Sequence, residues 1–202
     1  MEDRLAIYRR RRERRQEYKD LAAKSCYSVI IVMIALILLR PLIIDQILSR
    51  ADAYTAVGRL EESRRQCDKA LLIDGESSEA WCQLARVYKV EGDRDAACAA
   101  YQSAVETDDT NGSAHFELGM MYVQDGRHQL AIPHFEQVRR LGSDRLTGSS
   151  APEASYRRIS LGMLVLCYEK VGDPVKTEMT LKEIRLFYPD YENAVSSGIA
   201  PR

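Results

Sequence analysis

The chain has 202 residues, enough for one domain with a real core plus an accessory segment. Its 29 Lys and Arg nearly cancel 30 Asp and Glu, so no global basic field marks a nucleic-acid binder, and none is expected as a partner. Six Pro and eleven Gly are too few for a disordered chain.

The charge is unevenly placed. Residues 1–24 carry nine Lys and Arg, four of them in the block Arg9–Arg12, against five acids. This basic arm is followed by an apolar run. From Val29 to Leu39 every residue is apolar, and the 19 residues from Cys26 to Ile44 contain one charge, Arg40. A bilayer core needs about 20 apolar residues in helical form, so residues 25–45 are read as a transmembrane signal anchor, with Arg40 reaching toward the headgroups. Pro41 fits there as a kink or a boundary. Two other readings compete: a buried core helix, and a cleaved signal peptide ending at Ala51-Asp52-Ala53. The long basic region, and a cleavage that would fall inside the repeats, favour the anchor. By the positive-inside rule the arm stays in the cytoplasm and the rest crosses, which in a bacterium means an inner-membrane protein with a periplasmic domain. The arm could also grip anionic lipid. Cys26, at the membrane edge, is a speculative site of S-acylation.

The remainder is periodic. Gly58, Gly92 and Gly126 are each 34 residues apart, and Gly172 follows after 46, one period plus a 12-residue insertion. Before the glycines stand Ala53-Tyr54, Trp81-x-x-Leu84-Ala85-x-x-Tyr88, His115-x-x-Leu118-Gly119-x-x-Tyr122 and Leu161-x-x-Leu164-Val165-x-x-Tyr168. After them come Ser63/Cys67/Ala70, Ala97/Tyr101/Ala104, Ala131/Phe135/Val138 and Thr177/Leu181/Ile184. Each unit reads as two antiparallel helices separated by a turn whose Gly takes a left-handed conformation. Asp93 and Asp173 are placed to cap the second helix. Small residues at Ala85 and Gly119 are expected to let Ala97 and Ala131 approach.

This pattern resembles the tetratricopeptide-repeat (TPR) family, whose repeats combine W-x-x-L-G/A-x-x-Y, a turn Gly, A-x-x-x-F/Y-x-x-A and a closing Pro, here Pro189. The resemblance covers about residues 44–191 and implies an all-α fold: an α-solenoid of about four TPR helix pairs preceded by one transmembrane helix. The expected units are residues 44–77, 78–111, 112–145 and 158–191, with an inserted loop at 144–156 and a tail at 192–202. The first repeat is degenerate because its first helix abuts the span. The loop is small and polar, and reads as disordered or as a binding element.

In such an array the first helix of each pair lines a concave groove. The groove positions here include Leu48, Asp52, Glu79, Cys82, Arg86, Lys89, Phe116, Met120, Val123, Gln124, Gly162, Leu166, Glu169 and Lys170. The site expected to bind protein is Arg86, Lys89, Phe116, Met120, Val123, Leu166 and Glu169. Phe116, Met120 and Leu166 should look outward, because Leu118, Tyr122, Leu164 and Tyr168 take the inward positions. Outward apolar residues suit an apolar helix or peptide as partner, unless the loop, the tail or a second copy covers them. Chaperone-binding members use a carboxylate clamp, and the residues at those positions (Leu48, Asp52, Arg86, Phe116 and Met120) do not form one.

No catalytic, cofactor or metal site is expected. There is no P-loop, G-x-S-x-G or H-E-x-x-H, and His115, His128 and His134 fall in repeat helices. The five Cys show no metal spacing and read as small buried residues. The function that follows is a membrane-anchored adaptor assisting assembly of a membrane or envelope complex. The alternatives are a permanent subunit of such a complex and an organelle-surface receptor for apolar targeting segments.

Overall fold

The computed structural model describes residue 27 and residues 30–35, 37–141 and 153–188. The basic arm, Cys26, Pro189, the tail and residues 142–152 of the insertion lie outside the described residues. The chain divides into two compact units, residues 1–45 and 46–202.

Helix α1 is Ile30–Ala56, with a mean hydropathy of 2.3 over its most apolar 18-residue window and 6% of that window buried. Within the first unit its apolar side chains, among them Ile31, Met33, Ile37 and Leu38, face outward all round. A helix hydrophobic on every side and uncovered by protein is long and apolar enough to cross a bilayer.

The second unit continues with α2 (Leu60–Ile73), α3 (Ser78–Glu91), α4 (Arg94–Thr107), α5 (Gly112–Gln124), α6 (His128–Leu141), α7 (Glu153–Val171) and α8 (Pro174–Phe187). The described residues contain no strand. Packing runs from neighbour to neighbour along the chain from α2 to α8, with a smaller contact between α5 and α7. That is the one-dimensional stacking of a solenoid, in which no helix pair buries its apolar face alone.

The turns inside the four helix pairs are built alike. Gly58, Gly92, Gly126 and Gly172 have φ of 76°, 83°, 72° and 81°, and no other described residue is left-handed. The residue after each Gly donates its N–H to the carbonyl of a tyrosine five positions earlier: Arg59 to Tyr54, Asp93 to Tyr88, Arg127 to Tyr122 and Asp173 to Tyr168, at 2.8–3.0 Å. This closure satisfies carbonyls that the helix end would leave bare. The second helix then starts on a side-chain cap where Asp93 accepts from Ala96 N–H and Asp173 from Lys176 N–H. Ser77 and Asn111 cap α3 and α5 in the same way.

Helices α3 to α8 share one core, in which Tyr101, Phe135, Leu118, Leu161, Leu164 and Ile184 are essentially inaccessible. Ala51, Cys67, Leu84 and Val87 form a smaller cluster at the first pair. Gly119 lets α6 approach closely, and the nearest contact is with Phe135. A Cβ built there would lie 2.9 Å from the Phe135 ring, so the absent side chain makes room for that aromatic. Pro133 sits within α6 without breaking it. Cys67, Cys82 and Cys167 are buried and Cys98 is partly buried. Burial pushes the first two thiols up to about 12 and the third to about 11, which keeps them unreactive.

Candidate protein-binding face

The expected groove residues belong to α1, α3, α5 and α7, the first helices of successive pairs. Two of the cations there, Arg86 and Lys89, face carboxylates. Arg86 Nη1 lies 3.9 Å from Asp52 Oδ1 and donates to Gln83 Oε1 at 3.3 Å. Lys89 Nζ donates to Glu117 Oε2 at 2.7 Å, bridging α3 to α5. Asp52 thus faces Arg86 itself, and Glu117, missed in the sequence, neutralises Lys89. The electrostatic pull of Arg86 and Lys89 on an acidic partner is accordingly small.

Met120, Val123 and Leu166 are partly buried, packed on the core with some surface left open. Phe116 is a correction. It does not look outward: it is 8% exposed, its ring 6.2 Å from Phe135 and 4.6 Å from Tyr156, edge-on to both. The cause is the start of α7. By the period from Gly112 it should begin near residue 158, yet it begins at Glu153. The last residues of the expected 144–156 loop are therefore helical, and this extra turn carries Tyr156 onto Phe116. Cys82, one repeat before Phe116, is buried as well. Glu169 is exposed and joins Gly172, Asp173, Pro174, Thr177, Glu178 and Leu181 around an open cleft of about 300 Å³ between α7 and α8.

Polar contacts lock the stack behind this face. The guanidinium of Arg94, on α4, donates to Asp125 at 2.7 Å, to Gln124 at 2.9 Å and to the Met121 carbonyl at 2.7 Å. Ser78 donates to the Ala104 carbonyl at 2.8 Å while accepting from Asn111 at 2.7 Å. His115 and His134 meet Nδ1 to Nδ1 at 3.0 Å, and His115 Nε2 lies 3.0 Å from the Asp109 carbonyl. A carbonyl only accepts, so His115 carries its proton on Nε2 and its Nδ1 accepts from His134 Nδ1–H. Burial lowers the pKa of both rings. The proximity of His115 contributes to the fall at His134, which reaches about 4. Among the described residues no group of three or more His, Cys, Asp or Glu could hold a metal ion.

Residues 78–111, spanning α3 and α4, match the family model described as tetratricopeptide repeat. Residues 78–111 are thus a tetratricopeptide repeat, and the chain is similar to members of that family. Over 83 residues it is 31% identical to the anaphase-promoting complex subunit cut9 of Schizosaccharomyces pombe, a match covering 41% of this chain and 12% of that subunit. The solved structure of Pseudomonas aeruginosa pilF is similar over 73% of this chain and 63% of its own, with a TM-score of 0.58 and 21% identity. The Yersinia enterocolitica type III secretion chaperone SycD, solved with a peptide of the translocator YopD, is similar over 62% of this chain and 92% of its own. Its TM-score is 0.52 and its identity 17%. At these identities the structural likenesses show the fold alone.

Proposed function

We propose that this tetratricopeptide protein is a non-enzymatic, membrane-anchored adaptor. It holds an apolar helix or peptide of a partner protein on the face of its first helices, and assists assembly of a membrane or envelope complex. The observation that carries the reading is the character of that face. Arg86 and Lys89 are neutralised in place by Asp52 and Glu117, while Met120, Val123 and Leu166 keep apolar surface accessible between them. A partner gains most there by burying carbon, and Met adapts to its shape. The peptide complex of SycD is consistent with such a use of the fold. Anchoring rests on α1 and on the Arg-rich arm before it, which by the positive-inside rule puts the arm in the cytoplasm and the repeats across the membrane. The bacterial inner membrane, with repeats in the periplasm, is the setting that fits.

A crosslinked pull-down from solubilised membranes tests this, comparing wild type with the Met120→Glu, Leu166→Glu variant. Loss of one partner by a variant that keeps its circular dichroism supports the reading. Recovery of the same complex in fixed ratio by both forms sinks it. The result would then favour a permanent subunit; the relative cut9 is itself a subunit of a complex.

A further inference from the structure

The outer face of α8 does not match the interior of the stack. Thr180 and Ile184 are its buried residues, and it packs chiefly against α7. On the opposite side Val175 is 66% exposed, Met179 64% and Leu186 75%. Positions 175, 179, 182 and 186 follow the four-three-four spacing of one helical stripe, so these three apolar residues and Lys182 form a continuous ridge. The outward side of a solenoid helix is ordinarily polar, and the outward side of α8 carries an apolar ridge instead. Glu178 and Lys182 are joined at 2.8 Å, with both side chains about seven-tenths exposed. A pair so open to water contributes little by itself and can exchange partners at small cost.

We propose that this ridge is a self-association surface and that its occupant is α8 of a second copy, antiparallel about a two-fold axis near residue 180. The choice of occupant rests on charge complementarity. A two-fold interface must complement itself, each residue meeting a different residue of the same patch. Antiparallel pairing about residue 180 sets Glu178 opposite Lys182 of the second copy, and the reverse contact repeats it. The same axis brings Val175 beside Leu186 of the second copy and the two Met179 side chains together at the centre. A parallel arrangement would instead oppose like charges. A single helix face buries less than the roughly 800 Å² per partner of a standard interface, so the association is weak, in the micromolar range or above.

The test uses the full chain in dodecyl maltoside, by sedimentation velocity from about 1 to about 100 µM. A concentration-dependent dimer is expected. Leu186→Glu should weaken it by about tenfold or more, and Glu178→Lys or Lys182→Glu alone by several-fold. The double swap, Glu178→Lys with Lys182→Glu, restores the charge pairing and should bring the affinity back toward wild type. Met179→Cys should give an oxidative crosslink that the wild-type chain does not, since the axis places the two sulfurs together. A chain monomeric throughout the range overturns the proposal and leaves the ridge to residues 189–202 or another protein. A dimer that ignores every α8 substitution and fails to crosslink at residue 179 overturns it too, and assigns the dimer to α1.

Discussion

Helices α4 and α8 occupy equivalent places in their repeats, yet they differ in how they are held. Helix α4 lies between α3 and α5 and buries Ala97, Ala100, Tyr101 and Ala104, while Arg94 ties its start to the turn after α5. Helix α8 has α7 as its main neighbour and buries Thr180 and Ile184. Its side-chain ties are concentrated at Glu183, which pairs with Arg139 at 3.3 Å and Arg157 at 3.2 Å. In a stacked array the stability of a helix is set by its interfaces, so a position with one neighbour starts with about half the stabilisation of an interior one. The sequence of a repeat therefore says less about its stability than its rank in the stack does.

The comparison can be made to fail. Truncating Phe135 to Ala, in the fully buried interior, should cost about 3–5 kcal/mol in urea unfolding, whereas Leu186→Ala on α8 should stay within about 0.5 kcal/mol. Equal costs would mean that the ridge on α8 is covered in solution. Gly119→Ala sharpens the interior side of the contrast. Its new methyl meets the Phe135 ring at 2.9 Å, and about 1–3 kcal/mol should be lost. Restoration of that loss by Phe135→Leu in the same chain would locate the strain at this contact.

A smaller effect comes from the His115–His134 pair at the seam between α5 and α6. The folded state holds both imidazole pKa values below their ordinary value, and Asp108, Asp109 and Arg140 are the charged groups acting on His115. The unfolded chain thus binds more protons below about pH 6.5. Stability present above that value falls as the pH drops toward about 4, by about 1–2 kcal/mol once partial exposure is discounted. His134→Gln should flatten the pH dependence of urea midpoints over this window, and an unchanged slope would remove the pair from the explanation. The smallest expected change is at the Lys89–Glu117 bridge, where Lys89→Ala should cost less than about 1 kcal/mol and less still in high salt.

What the sequence revealed and what it hid divide along a physical line. The turn glycines and the capping aspartates were legible because their roles depend on a few neighbouring backbone atoms. The repeating tyrosines were legible as a pattern, although their carbonyls closing all four turns was not. Phe116 was misread because its exposure is decided forty residues away, by an extra turn of α7 that no period announces and that brings Tyr156 over it. Likewise Arg86 and Lys89 showed as groove cations, but their neutralisation by residues 34 and 28 positions distant is a property of the stack. His115 and His134, nineteen apart, read only as residues of repeat helices, and nothing in the sequence joined them.

The four turns have an evolutionary consequence. Each closes its backbone with its own glycine and its own tyrosine carbonyl. A gene encoding such units can gain or lose one by recombination in steps of a whole period, with no compensating change required at the turns that remain. The one irregular step, 46 residues between Gly126 and Gly172, follows the same logic. The added residues fall between hairpins, where α7 could lengthen, and every turn kept its form.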